Sequence, residues 1–422
     1  MRLSKRASFL LLASIVVSFL AGSSAATPLY ATYQAAWGFS PITTTVVFGV
    51  YALAVLASLL VLGSLSDFVG RRPVLMVAAL VQIVAMGIFV TAHGVGALLA
   101  ARVVQGLATG AAAGAAGAGM LDLDRERGTV ANGVGPTLGT ATGGLLSGLL
   151  VQFLPAPTKL VYLVLGAAFV AQLVGVHAMP ESVTRTPGAL ASMRPRLRVP
   201  ARMRGAVLLA VPALVGAWAL AGFYGSLGPT LVRKLAASTS PALGGIALFV
   251  LAAAGALTVL VSRTRPAHVA TATGTAGLAA GVGIVLLAVR GGSVATFFLG
   301  TAVAGAGFGA TFHGALRSVL ALAAPHERAG VLSVLYVVAY LAMGLPAVGA
   351  GVRVVHGGGI VATANEYGLV VIGLALAAMV GTLWRTYARA SAAAASTILE
   401  KASVPPAAMC ASIVPGTTGV VR

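Results

Sequence analysis

The sequence predicts an all-α membrane protein, with twelve transmembrane helices in two six-helix bundles. Three observations carry this. Of 422 residues, 59% are hydrophobic and 8% charged, against about 25% charged in a soluble domain. The apolar residues gather in runs of roughly 20, the length a helix needs to cross a bilayer. A polar, proline-rich break at 181–205 divides those runs six and six. The single cysteine, Cys410, rules out a disulfide framework within the chain and a cysteine-rich metal site. The net charge of +19 reads as membrane-face loops meeting anionic lipid, since no basic domain exists to hold nucleic acid.

The first run, about 8–32, follows Arg2, Lys5 and Arg6. A charged start, an apolar stretch and the small residues Ala21–Ala26 also describe a cleaved signal peptide. The stretch is long enough to span and its removal would leave an odd number of spans, so it is read as an uncleaved helix. The second and third runs, 41–62 and 73–92, flank Gly63-Ser64-Leu65-Ser66-Asp67-Phe68-Val69-Gly70-Arg71-Arg72. This decapeptide must be a tight loop at a membrane face, with Gly63 and Gly70 turning the chain between antiparallel helices. The fourth, fifth and sixth runs are 96–119, 131–153 and 159–179, completing a first bundle over 1–180. The segment 181–205 holds six arginines and three prolines and forms a linker loop. A second bundle, 206–385, takes runs at 206–227, 242–261, 268–289, 293–316, 329–350 and 364–384. The Ala/Ser/Pro-rich tail, 386–422, is expected to be disordered.

Charge placement orients this threading. With both termini on one side, that side collects 21 of the 27 Lys and Arg residues. The other side keeps Lys159, Arg233, Lys234, Arg290 and Arg353, and Arg102 is left within the membrane. Positively charged loops stay in the cytoplasm, so both termini are expected there, in a bacterial-type inner membrane. Two six-span halves, each with a basic loop after its second span, also follow the pattern of transporters that bind solute between repeats.

Gly63-x-Leu65-x-Asp67-x-x-Gly70-Arg71-Arg72, between the second and third of twelve spans, resembles the signature loop of the major facilitator superfamily. Arg102-Val103-Val104-Gln105-Gly106 resembles that family's RxxQG motif. Gly133-x-Gly135-Pro136-x-x-Gly139 is similar to the glycine-proline motif of its drug/proton antiporters, although Thr140 stands where that motif has a second glycine. The resemblance covers about 7–385. It implies a secondary transporter of the efflux branch, conformational switching at the loop, and proton coupling at Arg102, normally opposite an acid in the first helix.

That acid is missing: all eight carboxylates lie in loops, at span ends or in the tail. A proton could be taken at Asp67 and Asp122, an anionic solute could neutralise Arg102, or transport could be uncoupled. The expected switch residues are Gly63, Asp67, Gly70, Arg71, Arg72 and Asp122. Asp67 is placed to approach a neighbouring helix N-terminus, and Arg71 or Arg72 to pair with Asp122 or Asp124. Such a latch would hold the outward-open state. Arg102, about 10 Å into its span at 1.5 Å per residue, should face a water-filled cavity. Gln105, Asn132, Pro136, Tyr336 and Tyr340 join it as candidate cavity residues. Tyr33, Trp37 and Tyr224 read as interfacial belt residues, and His313 as a gate or packing residue.

Gly106, Gly110 and Gly114, like Gly135, Gly139 and Gly143, make smooth helix faces for close packing. No nucleophile, metal ligands or carboxylates gather at one depth, so an intramembrane enzyme is disfavoured. The reading is therefore a monomeric exporter of small amphipathic molecules by alternating access, using protons and neither cofactor nor metal. The alternative is a metabolite or organic-anion uptake permease, working as symporter or facilitator.

Overall fold

The structure, a computed structural model, describes residues 2–402, and every regular element among them is helical. In chain order these are α1 Lys5–Ala25, α2 Tyr30–Trp37, α3 Pro41–Leu62, α4 Ser66–Val69, α5 Arg71–Val90, α6 Val95–Leu123, α7 Arg125–Phe153 and α8 Pro157–Ala178. There follow α9 Ala189–Ser192, α10 Arg204–Ser226, α11 Gly228–Leu235, α12 Pro241–Ser262, α13 Ala267–Gly291, α14 Val294–Leu320, α15 Arg328–His356 and α16 Gly359–Ala402. Twelve segments among the described residues are long and apolar enough to cross a membrane, in the places the apolar runs put them. The chain is an integral multi-pass membrane protein.

Local chemistry sets the helix ends. Ser4 caps α1, its Oγ accepting from the Ala7 N–H at 3.2 Å, and Asp124 caps α7 by accepting from the Arg127 N–H at 2.9 Å. Prolines open α3, α8 and α12, where the missing N–H leaves no bond unmade. Two further breaks are not visible as gaps in hydropathy. At Ala26-Thr27-Pro28-Leu29 the first span stops and restarts as α2, and at Leu227 before Pro229 the seventh stops and restarts as α11. Both restarts are eight residues long, so the halves repeat one another here more plainly than in their basic loops. At the other end, α16 continues to Ala402, beyond the boundary at 385 that composition suggests. The stretch is rich in Ala and meets no proline before Pro405, so nothing local stops the helix. Residues 403–422 of the expected tail lie outside the described residues.

Each bundle packs through small residues, because lipid leaves no hydrophobic force to press helices together. Gly106 and Gly110 of α6 lie against α3, where added Cβ atoms would come 2.6 Å from Ala54 Cβ and 2.5 Å from Ser58 Cβ. Gly139 and Gly143 of α7 lie against α1, 2.4 Å from the Val17 carbonyl and 2.2 Å from that of Ala21 by the same measure. The halves meet along α7 with α12 and α3 with α15. Two hydrogen bonds join the bundles directly among the described residues: Thr27 Oγ1 donates to Gly225 O at 3.0 Å, and Ser240 Oγ to Gln152 Oε1 at 2.8 Å. Both lie at the end away from Asp67. A Cβ on Gly351 would come 2.2 Å from Thr45 Oγ1, and one on Gly245 2.4 Å from Gly144 O. That far end is sealed in this conformer.

Candidate functional site

The signature loop folds around Arg71, whose side chain is only 8% exposed. Its Nε donates to Asp122 Oδ2 at 3.1 Å and its Nη1 to Ser66 Oγ at 2.8 Å and to Asp67 Oδ1. Asp67 lies in the first turn of the short α4 and stays half exposed. Arg72 does not pair with Asp122; its Nη2 lies 3.4 Å from His177 Nδ1. Asp124 is occupied as the α7 cap. Gly70 has φ +101°, and a Cβ there would come 2.5 Å from Glu181 Oε2, so glycine is required twice over. Gly63 has φ −58°, so it does not turn the chain through the left-handed region. Gly114 of α6 packs across it, a Cβ there reaching 3.0 Å from the Gly63 carbonyl.

The carboxylate that reaches the N-terminus of the neighbouring helix α5 is Glu181, not Asp67. Glu181 Oε1 accepts from the Arg71 N–H at 2.8 Å and Oε2 from the Arg72 N–H at 3.0 Å. It satisfies two orphan donors of α5 and places its charge at the positive end of that helix. Asp67 is held instead by the Arg71 fork within its own loop. Glu181 begins the linker, so the cluster ties the linker to the first bundle. His177 and Glu181 lie over a hundred residues from the motif, and no local spacing joins them to it.

Seven residues into α6, Arg102 is fully buried. It does not look onto an open water-filled chamber in this conformer. Its Nε donates to Tyr30 Oη at 3.0 Å, and its Nη1 to Ser23 O at 2.8 Å and Gln105 Oε1 at 2.7 Å. The guanidinium carbon lies 5.5 Å from the ring centre of Tyr30 and 5.0 Å from that of Tyr51, within cation–π range. Phenols, a carbonyl, an amide and aromatic faces do the work that an acid does in the motif's usual setting. Beside them the Gln82 amide and Gln105 Nε2 are buried without a hydrogen-bond partner among the described residues. A Cβ on Gly22 would come 3.3 Å from Gln82 Nε2 and 3.6 Å from Gln105 Nε2, so both amides converge on that glycine.

Tyr51 carries this cluster to the seam. Its ring, one face of which carries Arg102, belongs to α3, and α3 packs along α15 at the seam. Tyr340 packs on Trp218 of α10 with ring centres 5.2 Å apart, and Trp218 on Phe312 at 5.2 Å and Phe308 at 6.3 Å. Tyr336 completes the group, 6.3 Å from Tyr340. The Trp218 indole N–H is buried and unpartnered among the described residues. Two groups thus form: Tyr336 and Tyr340 with Trp218, Phe308 and Phe312 on the second-bundle side of the seam, and Arg102 and Gln105 with Tyr30 and Tyr51 in the first bundle.

The other expected residues go elsewhere. Asn132 Nδ2 donates to the Gly117 carbonyl of α6 at 3.0 Å. Pro136 lies inside an unbroken α7, and its carbonyl accepts from Thr140 Oγ1 at 3.1 Å. His313 of α14 stands near Gly133 at the seam. Tyr33 and Tyr224 are not belt residues: they are 2% and 3% exposed. Tyr33 Oη meets Tyr162 Oη at 3.4 Å in the first bundle, and Tyr224 Oη meets Thr301 Oγ1 at 2.7 Å in the second. Trp37 stacks on Tyr33 at 4.8 Å.

The family model described as Major Facilitator Superfamily matches residues 11–347. The chain belongs to that superfamily. It is a family of transporters, and a twelve-helix member of it is consistent with secondary transport. The fold is similar to that of the human organic anion transporter MFSD10 (TETRAN), with TM-score 0.64 and 18% identity over 90% of this chain and 100% of the other. It is also similar to the nucleoside transporter NupG (D323A mutant), with TM-score 0.67 and 13% identity over 89% of this chain and 99% of the other. A search of curated protein sequences finds none that matches.

Proposed function

We propose that the chain exports small amphipathic molecules across the cytoplasmic membrane by alternating access, coupled to protons and acting as a monomer. The observation that carries this is the aromatic set at the seam, Trp218, Tyr336, Tyr340, Phe308 and Phe312, across from the helix α3 whose Tyr51 carries the buried Arg102. Aromatic walls with one free indole donor suit a largely apolar solute held by few polar contacts. The basic end, bearing Asp67 and the linker, is read as cytoplasmic with both termini, by the rule that retains Lys and Arg there. The Arg71 cluster with Asp67 and Asp122 is closed while the far end is sealed, and its members all belong to the first bundle, so it does not act as the expected latch for an outward-open state.

One observation favours the alternative of organic-anion uptake. Arg102 has no carboxylate among its bonded partners, so an anionic solute reaching it would supply the missing charge. The two readings separate in one experiment. Cells with and without the protein are loaded with a panel of lipophilic cationic, neutral and anionic dyes, with and without a proton uncoupler. Export lowers accumulation of several dyes and the uncoupler restores it. Uphill gain of anions alone selects uptake, and unchanged accumulation of every dye in both directions removes both readings.

A further inference from the structure

The flank of the second bundle carries a groove that transport through the seam does not use. Between α10, α15 and α16 lies a recess of about 330 Å³, walled by Val215 and Ala219, by Pro346 and Gly349, and by Val370 and Leu374. It exists because of what α15 lacks. Pro346 has no N–H to bond the carbonyl four residues back, which loosens the helix at that turn. Gly349 is exposed, and a Cβ there would meet nothing within 4 Å. Val370 is 63% exposed, so the recess opens sideways, onto the surface that faces lipid.

At its mouth stands an ion pair. Arg353 Nε donates to Glu366 Oε2 at 2.8 Å and Nη2 to Oε1 at 2.6 Å. The two side chains are 42% and 52% exposed. Glu366 is seven residues into α16, roughly 10 Å along the helix from its start. Arg353 and Glu366 flank the turn between α15 and α16, so this half-exposed pair stands at a span end, where polar headgroup atoms reach it. Beside the pair the polar side chains are already bonded: Thr363 Oγ1 donates to Gly359 O and Tyr367 Oη to Ala219 O. The groove therefore offers an adjacent positive and negative charge above a purely apolar slot.

We propose that this groove binds one phospholipid with an amine-bearing, zwitterionic headgroup. Its phosphate accepts from Arg353, its ammonium donates to Glu366, and one acyl chain fills the slot over Pro346 and Gly349. The order of charges matches such a headgroup, and a slot without free polar groups fits an alkyl chain better than a polar solute.

The test uses the purified full chain, exchanged from detergent into mixtures with phosphatidylethanolamine or phosphatidylglycerol and read by native mass spectrometry. The wild type retains one phospholipid and prefers phosphatidylethanolamine. Gly349→Leu or Val370→Trp fills the slot and lowers retention about tenfold, the latter from an exposed position that leaves helix packing alone. Arg353→Gln with Glu366→Gln keeps the slot but loses the headgroup preference, about tenfold for charge-assisted bonds. Retention and preference unchanged in all three variants overturns the proposal. So does a bound species that proves to be a transported dye or detergent and not a phospholipid.

Discussion

Arg102 shows what one side chain can do without an acid beside it. Its fork reaches Tyr30, Ser23 and Gln105 at once while its face lies on two phenol rings. A lysine has one point charge and no planar face. Arg102→Lys is expected to lower flux about tenfold or more in proteoliposomes. Arg102→Met removes a buried charge that has no carboxylate partner, so folding should hold within about 2 kcal/mol while transport is lost. A large drop in melting temperature for Arg102→Met, with flux retained, would make the residue structural only. The loop makes a different demand. Gly70→Ala places a Cβ at φ +101° against Glu181 and is expected to cost at least about 1–2 kcal/mol. Glu181→Gln keeps an acceptor oxygen and loses only the charge at the α5 N-terminus, so it should be the milder change in thermal melting. The sequence exposed the charged members of these clusters because charges are rare in this chain. It named Trp218 as a possible binding-surface aromatic but hid Tyr51, Phe308, Phe312 and the role of Glu181, which arise from contacts between helices distant along the chain.

At the scale of helices, the glycine faces have two jobs that look the same in the sequence. Gly143 of α7 meets α1 inside the first bundle, whereas Gly144 meets Gly245 of α12 across the seam. Gly143→Ala should destabilise the bundle. Gly245→Ala would put its Cβ 2.4 Å from the Gly144 carbonyl, at the sealed far end, and should hold that end ajar with little loss of bundle stability. A cysteine introduced at Thr45, covered by Gly351 in this conformer, reports the difference. Maleimide labelling should rise in the Gly245→Ala background and not in the wild type; equal labelling would show that this contact does not gate the far end. The twelve spans themselves were legible, because hydropathy and length suffice to find them. The breaks at Pro28 and before Pro229 were not, since an apolar turn leaves the hydropathy run continuous. Missing the first misplaced Tyr33 of α2 at the interface, and Tyr224 near the end of α10 was misplaced with it, when both are buried.

Across the whole molecule, the linker is a strap bonded to both bundles. Ser64 Oγ donates to Ser192 O and the Thr186 N–H to Phe68 O, each at 3.0 Å, on the side of the first bundle. On the other side Arg202 Nη1 donates to Glu327 Oε1 at 2.9 Å, just before α15. The bond from Arg202, together with the Ala324 N–H, holds the Glu327 carboxyl below its ordinary value. A carboxyl lowered on folding stabilises the fold fully above its unfolded pKa, about 4.3, and loses that contribution as pH falls through the lower folded value. The strap is therefore constant between about pH 5 and pH 8, the window in which proton-coupled flux would vary. Glu327→Gln should lower the melting temperature by the same amount throughout that window, and the gap to wild type should close only below about pH 4. A gap that narrows between pH 7 and pH 5 would show that Arg202 does not hold this carboxyl ionised. If the gap stays flat, any acid dependence of transport in that range has to arise away from the strap, and the exposed Asp67 beside Arg71 is the next group to replace.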